Sequence, residues 1–376
     1  MAETPINGVC PPRFDGVRRA FEANFSEGRE LGARFSLAIG GEIVVDLIGG
    51  WADRAQTKPF AEDTLTSVFS TTKAIAAILV ARLVDQVKLA YSQRVADLWP
   101  EFAAAGKGAI TVEQAMAHQA GLPGFAEKMD PADWFDWDLI CGRLAAMAPM
   151  WMPGVHSGYH PVTFGYIAGE IFRRVDGRTM GEALRTDIAG PFGLDLWIGL
   201  PDAEHARCAD VRRPPALPDL GEITPERRVA FLTPWASPGG RSLAEWRRAS
   251  IPSVTGHATA PALAHLMGAV ANGGILGGRR LLGPETVAAL IAPRSHGADL
   301  VLPYTLSWGA GLLRNESLRL YGPGRETIGH SGWGGSCAFA DPERGVSGAY
   351  VMNRQSADLI GDARARRLID AAYEGL

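Results

Sequence analysis

Two groups of strand-like segments, one near each end of the chain, enclose a long stretch with helical periodicity. Near the start, residues 33–53 hold two short β-rich runs on either side of Gly40 and Gly41, which predicts a hairpin. Because an isolated hairpin is only marginally stable in water, we expect strands from both ends to form one antiparallel sheet. The runs near the other end, punctuated by glycine and rich in aromatic and β-branched residues, are 304–315, 329–341 and 345–354.

The stretch between these groups has apolar residues at spacings of three and four, the period of an amphipathic helix. The predicted fold class is α+β or α/β, with an antiparallel sheet flanked by helices. One domain is expected to consist of 1–75 and 297–376, and a mostly helical domain of 76–296, with the active site in the cleft between them. The helices expected from the periodicity are 74–87, 112–118, 162–175, 260–271 and a terminal helix at 358–373.

A polar stretch with many prolines lies between Pro201 and Pro252, and it is too long for an ordinary loop. It forms either a surface excursion or a lid or pocket wall, and the sequence leaves both open. Trp235 and Trp246 lie within it and would shape such a pocket.

The charge and the cysteine content indicate which kinds of binding partner and which cellular compartment to expect. The 37 basic and 41 acidic residues are interleaved, without a basic stripe for nucleic acid, so a small and roughly neutral substrate is expected. The four cysteines form no CxxC pair, which is typical of reduced thiols in a cytosol. No leader is recognisable at the start, and the longest helical apolar run, 74–81, is too short to span a bilayer. We expect a cytoplasmic protein without membrane or nucleic-acid partners; the oligomeric state stays open.

One of only five lysines, Lys73, lies three residues after Ser70, where an apolar helix is predicted to begin. This spacing places both side chains on one helix face, and Ser70 lies at the positive end of the helix dipole, where an alkoxide is stabilised. Desolvation by the apolar face would lower the pKa of Lys73, so that the amine can accept a proton. The alternative is that Ser70 only caps the helix and Lys73 reaches water from the helix end.

Two further segments could contribute to a site. Tyr159 lies in a turn bounded by glycine and proline, directly before an amphipathic helix, where a loop can present a side chain on a rigid scaffold. Such a tyrosine, taken alone, is more often a packing residue. The segment GHSGWGG (329–335) places glycines in a strand-like run, where they mark bulges or close approach of a ligand to the backbone. A substrate is expected to lie against this edge.

Metal chemistry and the α/β-hydrolase elbow are both disfavoured. His156 and His160 are four residues apart, but Gly158 and Pro161 argue against a helix there, and no HExxH motif occurs. The chain also has no GxSxG motif. His118 is expected to support its loop rather than to react. We therefore expect neither a metal site nor a cofactor.

Taken together, SxxK at a helix start, a loop tyrosine about 90 residues later and a glycine-rich HSG segment resemble the serine β-lactamase and penicillin-binding protein superfamily. More narrowly, the chain resembles the class C β-lactamase-like carboxylesterases known as family VIII. The resemblance implies a β-lactamase-like fold and a serine hydrolase. The motifs that carry it are LWPEF (98–102), MAHQAGLP (116–123), YHPVTFGYIAGEI (159–171), WIGLP (197–201), MGAVANGG (267–274) and GHSGWGG (329–335).

The resemblance also implies roles for individual residues. Ser70 would be the acylated nucleophile, Lys73 its proton acceptor, and Tyr159 the group that passes a proton to the leaving alkoxide and helps to activate water for deacylation. The backbone N–H groups of Ser70 and Trp333 would form the oxyanion hole, in which each donor typically contributes ~10²- to 10³-fold. The substrate-binding segment would consist of His330, Ser331, Gly332, Trp333 and Gly334.

Two departures from the β-lactamase pattern favour simple esters over β-lactams. His330 stands where β-lactamases have the lysine of KTG, so the fixed cation that would bind a lactam carboxylate is missing. Pro161 stands where lactam enzymes often have an asparagine that orients an acylamino group. The predicted reaction is cofactor-free hydrolysis of short-chain carboxylic esters through an acyl-enzyme. The alternatives are a β-lactamase, an acyltransferase or a D-amino-acid peptidase of the same superfamily, or a binding protein without catalysis.

Overall fold

The structure is a computed structural model that describes residues 4–214, 216–237 and 242–376. Its strands are β1 (Ile6–Val9), β2 (Gly32–Ile39), β3 (Glu42–Gly50), β4 (Thr66–Ser67), β5 (Leu196–Ile198), β6 (Gly256–Ala258), β7 (Ile275–Leu276), β8 (Arg279–Arg280), β9 (Ser295–Ala298), β10 (Thr305–Trp308), β11 (Leu313–Arg314), β12 (Ile328–Ser331), β13 (Cys337–Asp341) and β14 (Val346–Met352). Its α-helices are α1 (Asp15–Ser26), α2 (Thr72–Asp85), α3 (Val95–Leu98), α4 (Val112–Met116), α5 (Trp137–Ala146), α6 (Thr163–Asp176), α7 (Met180–Ala183), α8 (Pro225–Phe231), α9 (Leu243–Arg248), α10 (Ala260–Ala271), α11 (Pro284–Ile291) and α12 (Ala363–Glu374).

Strands from the two ends of the chain pair within one antiparallel sheet, as predicted. In the described ranges this sheet has nine strands, in the order β1-β3-β2-β14-β13-β12-β11-β10-β9. The two ends meet where β14 pairs with β2, from Val346 opposite Ile39 to Met352 opposite Ala33. Between β2 and β3, the glycines at 40 and 41 have φ angles of 60° and 90°, the left-handed conformations that a two-residue hairpin turn requires. The predicted hairpin and the shared sheet are therefore confirmed.

Helices cover both faces of this sheet. Successive side chains of a strand point to opposite faces, and here apolar side chains on each face pack against helices. On one face, side chains of β13 and β14 pack in an apolar core with α10. On the other face, Phe339 and Tyr350 pack in a second core with α12, which itself lies against α1. α10 thus belongs by sequence to the range 76–296 but packs on the sheet. The division into 1–75 with 297–376 and 76–296 stays a prediction.

α2 is the central helix of the remaining helical region. Every residue from Thr72 to Ala81 is buried, and the helix packs against α6, α11 and β12. A small sheet in the order β4-β6-β5, which the periodicity did not reveal, leads into the turn before α2. None of the helices in the described parts of the chain is long and apolar enough to cross a bilayer.

The terminal helix begins later than the predicted residue 358. Gly361 adopts φ 75°, a left-handed conformation that interrupts a helix, and the Asp362 carboxylate caps α12 by accepting the Arg364 backbone N–H at 2.8 Å. The prediction of this boundary was wrong because the apolar residues of 358–361 continue the periodicity of the helix without being part of it.

Candidate active site

Ser70 lies in a 3-10 turn, Phe69–Thr71, that runs directly into α2. Phe69 has φ 45°, a conformation that is costly for a residue with a side chain. Lys73 lies on the first turn of α2, and its Nζ is 3.0 Å from Ser70 Oγ. The spacing of three therefore brings the two side chains together.

Two backbone carbonyls complete the surroundings of Lys73. Its Nζ donates to Pro161 O at 2.7 Å and to Ser253 O at 3.1 Å, and the side chain is completely buried. A neutral amine can donate its two N–H bonds to these carbonyls and direct its lone pair at the Ser70 hydroxyl. Lys73 does not reach water, so the alternative in which it extends from the helix end to solvent was wrong.

Burial lowers the pKa of the Lys73 amine well below its ordinary value. The rings of Tyr159 and Phe164 lie 4.8 and 5.8 Å from Nζ, and such contacts favour the charged form by about 0.5–2 kcal/mol. Complete desolvation disfavours the charged form and acts in the opposite direction, and the net effect is the lowered pKa. Desolvation is the larger effect, and the amine is therefore suited to accept a proton.

Tyr159 is the third group at this point. Burial raises the pKa of its phenol above the ordinary value, an effect that the neighbouring Ser70 side chain partly offsets. The ring is stacked on Trp308 with centroids 5.9 Å apart and contacts His118 at 4.9 Å. Tyr159 is thus held as a protonated phenol beside the serine.

The backbone of Tyr159 is held by a buried carboxylate that the sequence did not indicate. Asp299 Oδ1 accepts the backbone N–H groups of Tyr159 at 2.9 Å, Val301 at 2.9 Å and Leu302 at 2.8 Å. Burial raises the pKa of Asp299 to about 6. Because Asp299 is 140 residues from Tyr159, no local pattern links the two.

The segment after β12 lies against the turn that carries Ser70. A Cβ atom on Gly332 would stand 2.2 Å from Val68 O, so only glycine permits this approach. Ser336 Oγ donates to Val68 O at 2.8 Å and lies 3.0 Å from Thr71 Oγ1. Among the described residues, neither the Ser70 nor the Trp333 backbone N–H donates to a backbone carbonyl.

A cavity of about 960 Å³ opens at this point, and Ser70, Tyr159, Ser331 and Trp333 belong to its lining. Residues of the excursion between 201 and 252 form much of its wall, so the excursion is a pocket wall. Residues 215 and 238–241 of that excursion lie outside the described part of the chain.

His330 is not in the cavity lining but is buried behind Tyr159, with ring centroids 6.1 Å apart. Its Nδ1 is 2.8 Å from Ser331 O, and burial lowers its pKa to about 3. The imidazole is therefore neutral at pH 7. Gly332 and Gly334 also lie outside the lining, and direct substrate contacts of these three residues stay predictions.

His160 and His118 hold the backbone of the loops around the site. His160 Nε2 accepts the Leu122 backbone N–H at 2.9 Å, and its Nδ1 is 2.6 Å from Gly158 O. His118 Nδ1 accepts the His160 backbone N–H at 3.2 Å. Both ring nitrogens of His160 are thus engaged in holding the loop before α6.

The fold and this site define a serine hydrolase with a β-lactamase-like fold. The chain belongs to the Beta-lactamase family, whose profile matches residues 17–372. It is 35% identical over 370 residues to the Esterase/beta-lactamase LipL of Mycobacterium tuberculosis (strain ATCC 25618 / H37Rv), covering 94% of this chain and 84% of LipL. The resemblance inferred from the motifs is therefore confirmed.

Two solved structures are similar over nearly the whole chain. A novel penicillin-binding protein homolog from Caulobacter crescentus is 66% identical with a TM-score of 0.97, covering 99% of this chain and 100% of that one. A family VIII carboxylesterase is 42% identical with a TM-score of 0.93, again covering 99% of this chain and 100% of that one.

Proposed function

We propose that this chain is a carboxylesterase that hydrolyses short-chain carboxylic esters through an acyl-enzyme on Ser70. The observation that carries the proposal is the buried Lys73 amine, 3.0 Å from Ser70 Oγ. A relative named esterase/beta-lactamase and a family VIII carboxylesterase among the solved structures support the reaction class.

In the proposed reaction, Lys73 takes the proton of Ser70 while Oγ attacks the ester carbonyl. The backbone N–H groups of Ser70 and Trp333 stabilise the negative oxygen of the tetrahedral intermediate. Tyr159 gives its proton to the leaving alkoxide and recovers one from protonated Lys73. Water then attacks the acyl-enzyme while Lys73, assisted by Tyr159, takes one of its protons. That proton returns to Ser70 Oγ as the bond to the acyl group breaks, and the acid leaves.

The surroundings of the site support esters rather than β-lactams as substrates. The neutral His330 supplies no cation for a lactam carboxylate, and it lies outside the cavity lining. Pro161 contributes its carbonyl to Lys73 and has no side-chain amide for an acylamino group. If nitrocefin were hydrolysed faster than a short ester, the β-lactamase alternative would replace this proposal.

The test is replacement of the nucleophile. S70A should lower kcat for p-nitrophenyl butyrate by about 10³-fold or more and should abolish labelling by a fluorophosphonate probe. The control is S26A, since Ser26 is an exposed serine on α1. Substantial turnover by purified, folded S70A would overturn the proposal, and failure of the probe to label the wild type would support a protein without catalysis.

A further inference from the structure

One side of the cavity is a wall of aromatic rings that begins beside the nucleophile. Phe69 directly precedes Ser70, and its ring lies 6.1 Å from that of Trp246, which in turn lies 6.0 Å from that of Trp134. All three residues line the cavity. They come from the turn before α2, from α9 and from the segment before α5, so the wall exists only in the folded chain.

The wall is held in place from behind. Trp134 is buried and donates its indole N–H to Trp235 O at 2.7 Å. The Trp235 ring packs behind it at 5.5 Å and meets Phe125 edge-on at 4.6 Å. Trp246 donates its indole N–H to Ser67 Oγ at 3.4 Å. Rings held in this way are preorganised to pack against a flat apolar group.

The apolar surface continues outward to the rim of the cavity. Leu217, Leu232 and Leu243 are 87%, 47% and 59% exposed, and all three line the cavity. Exposed leucines that line the same pocket indicate a binding surface for an apolar group.

The cavity is also larger than a small ester needs. Its volume is about 960 Å³, and ethyl acetate would fill only about a fifth of it at roughly 30 Å³ per non-hydrogen atom.

We infer that the substrates are carboxylic esters bearing an aromatic or similarly bulky apolar group, which packs against the wall of Phe69, Trp246 and Trp134. The inference rests on the proposed esterase function and adds to it the chemical class of the substrate. The group lies on the acyl or on the alcohol side of the scissile bond, and the two sides are separated by experiment.

The experiment compares kcat/KM, measured by acid release, for ethyl acetate, benzyl acetate and ethyl phenylacetate. Benzyl acetate carries the ring on the alcohol, and ethyl phenylacetate carries it on the acyl group. The wild type should favour at least one of them over ethyl acetate by about tenfold or more. W246A should lower the ratio of kcat/KM for that favoured ester to kcat/KM for ethyl acetate by about tenfold.

L217D provides a second variant, because this exposed leucine can be replaced without disturbing the core. It should reduce the preference for the favoured aromatic ester over ethyl acetate. V87D is its matched control, since Val87 is 90% exposed and does not line the cavity. If the wild type showed no preference for either aromatic ester, or if W246A and L217D lowered all three rates equally, the inference would be overturned. Loss of ethyl acetate hydrolysis in S70A would show in the same series that the esterase proposal still holds.

Discussion

Lys73 and Lys107 are both completely buried lysines, and only one of them has a hydroxyl group to activate. Lys107 Nζ donates to the carbonyls of Ala104 at 2.8 Å and Ala145 at 3.0 Å. Burial lowers the pKa of both amines. A depressed pKa is therefore not by itself a sign of catalysis, and the contact with Ser70 is what distinguishes Lys73.

For Lys73 itself, we predict that K73R lowers kcat for p-nitrophenyl butyrate by about 10²- to 10⁴-fold. A guanidinium remains charged in proteins and cannot accept the Ser70 proton. The measurement is steady-state kinetics on folded protein, with K88R as the control because Lys88 is exposed. K73R that kept more than about a tenth of the wild-type kcat would contradict the role of Lys73 as the base.

Among the secondary-structure elements, the first turn of α12 holds the loop that carries Trp333. Arg364 donates to Gly334 O at 2.9 Å, to Asp362 Oδ2 at 2.7 Å and to Glu30 Oε2 at 3.0 Å. The three charged side chains are buried. Gly334 directly follows Trp333, so this network positions the backbone N–H that we propose for the oxyanion hole.

We therefore expect R364Q to lower kcat for p-nitrophenyl butyrate by about 10- to 100-fold while KM changes less. It should also lower Tm, because Glu30 and Asp362 lose their buried cationic partner. R366Q is the matched control, since Arg366 is exposed on the same helix. A lower Tm with wild-type kcat would show that Arg364 stabilises the fold without positioning the loop.

At the scale of the whole molecule, buried histidines couple folding to pH. Burial lowers the pKa of His160 and His330 to about 3 and that of His257 to about 4, and it lowers that of His118 well below its ordinary value. Histidines of the unfolded chain take up protons near pH 6.5, and these folded ones do not. Their contribution to stability is thus complete above about pH 6.5 and is lost as the pH falls.

Two buried carboxyl groups act in the opposite direction. Burial raises the pKa of Glu30 to about 7 and that of Asp299 to about 6. Over the same pH range these groups bind protons in the folded state before they do so in the unfolded chain, which stabilises the fold on acidification. The histidines outnumber them, so the net effect is a loss of stability towards acid pH.

We predict a lower Tm at pH 5 than at pH 7, measured by thermal unfolding. H257Q should reduce this difference, because it removes one group that the unfolded chain protonates and the folded chain does not. H296Q is the control, since His296 is more than half exposed. An equal or higher Tm at pH 5 would contradict the dominance of the buried histidines.

Much of the fold was predictable where the sequence pattern lies within a single helix or hairpin. The β2–β3 hairpin follows from its two glycines, and α10 was predicted with the bounds it has. α1 was missed although Val17, Ala20 and Phe21 are apolar residues at helical spacing, a signal that could have revealed it. The strands of the β4-β6-β5 sheet are too short for an alternating pattern to be recognised.

The spacing of three between Ser70 and Lys73 is a local feature of the sequence, and a helical turn at this point brings such side chains to the same side. The burial of Lys73 away from water depends on long-range contacts, because one of the carbonyls to which it donates, that of Ser253, is 180 residues away. The aromatic wall and the Arg364 network likewise join residues from distant parts of the chain. Desolvation and packing depend on which distant segments meet, and no local periodicity specifies that.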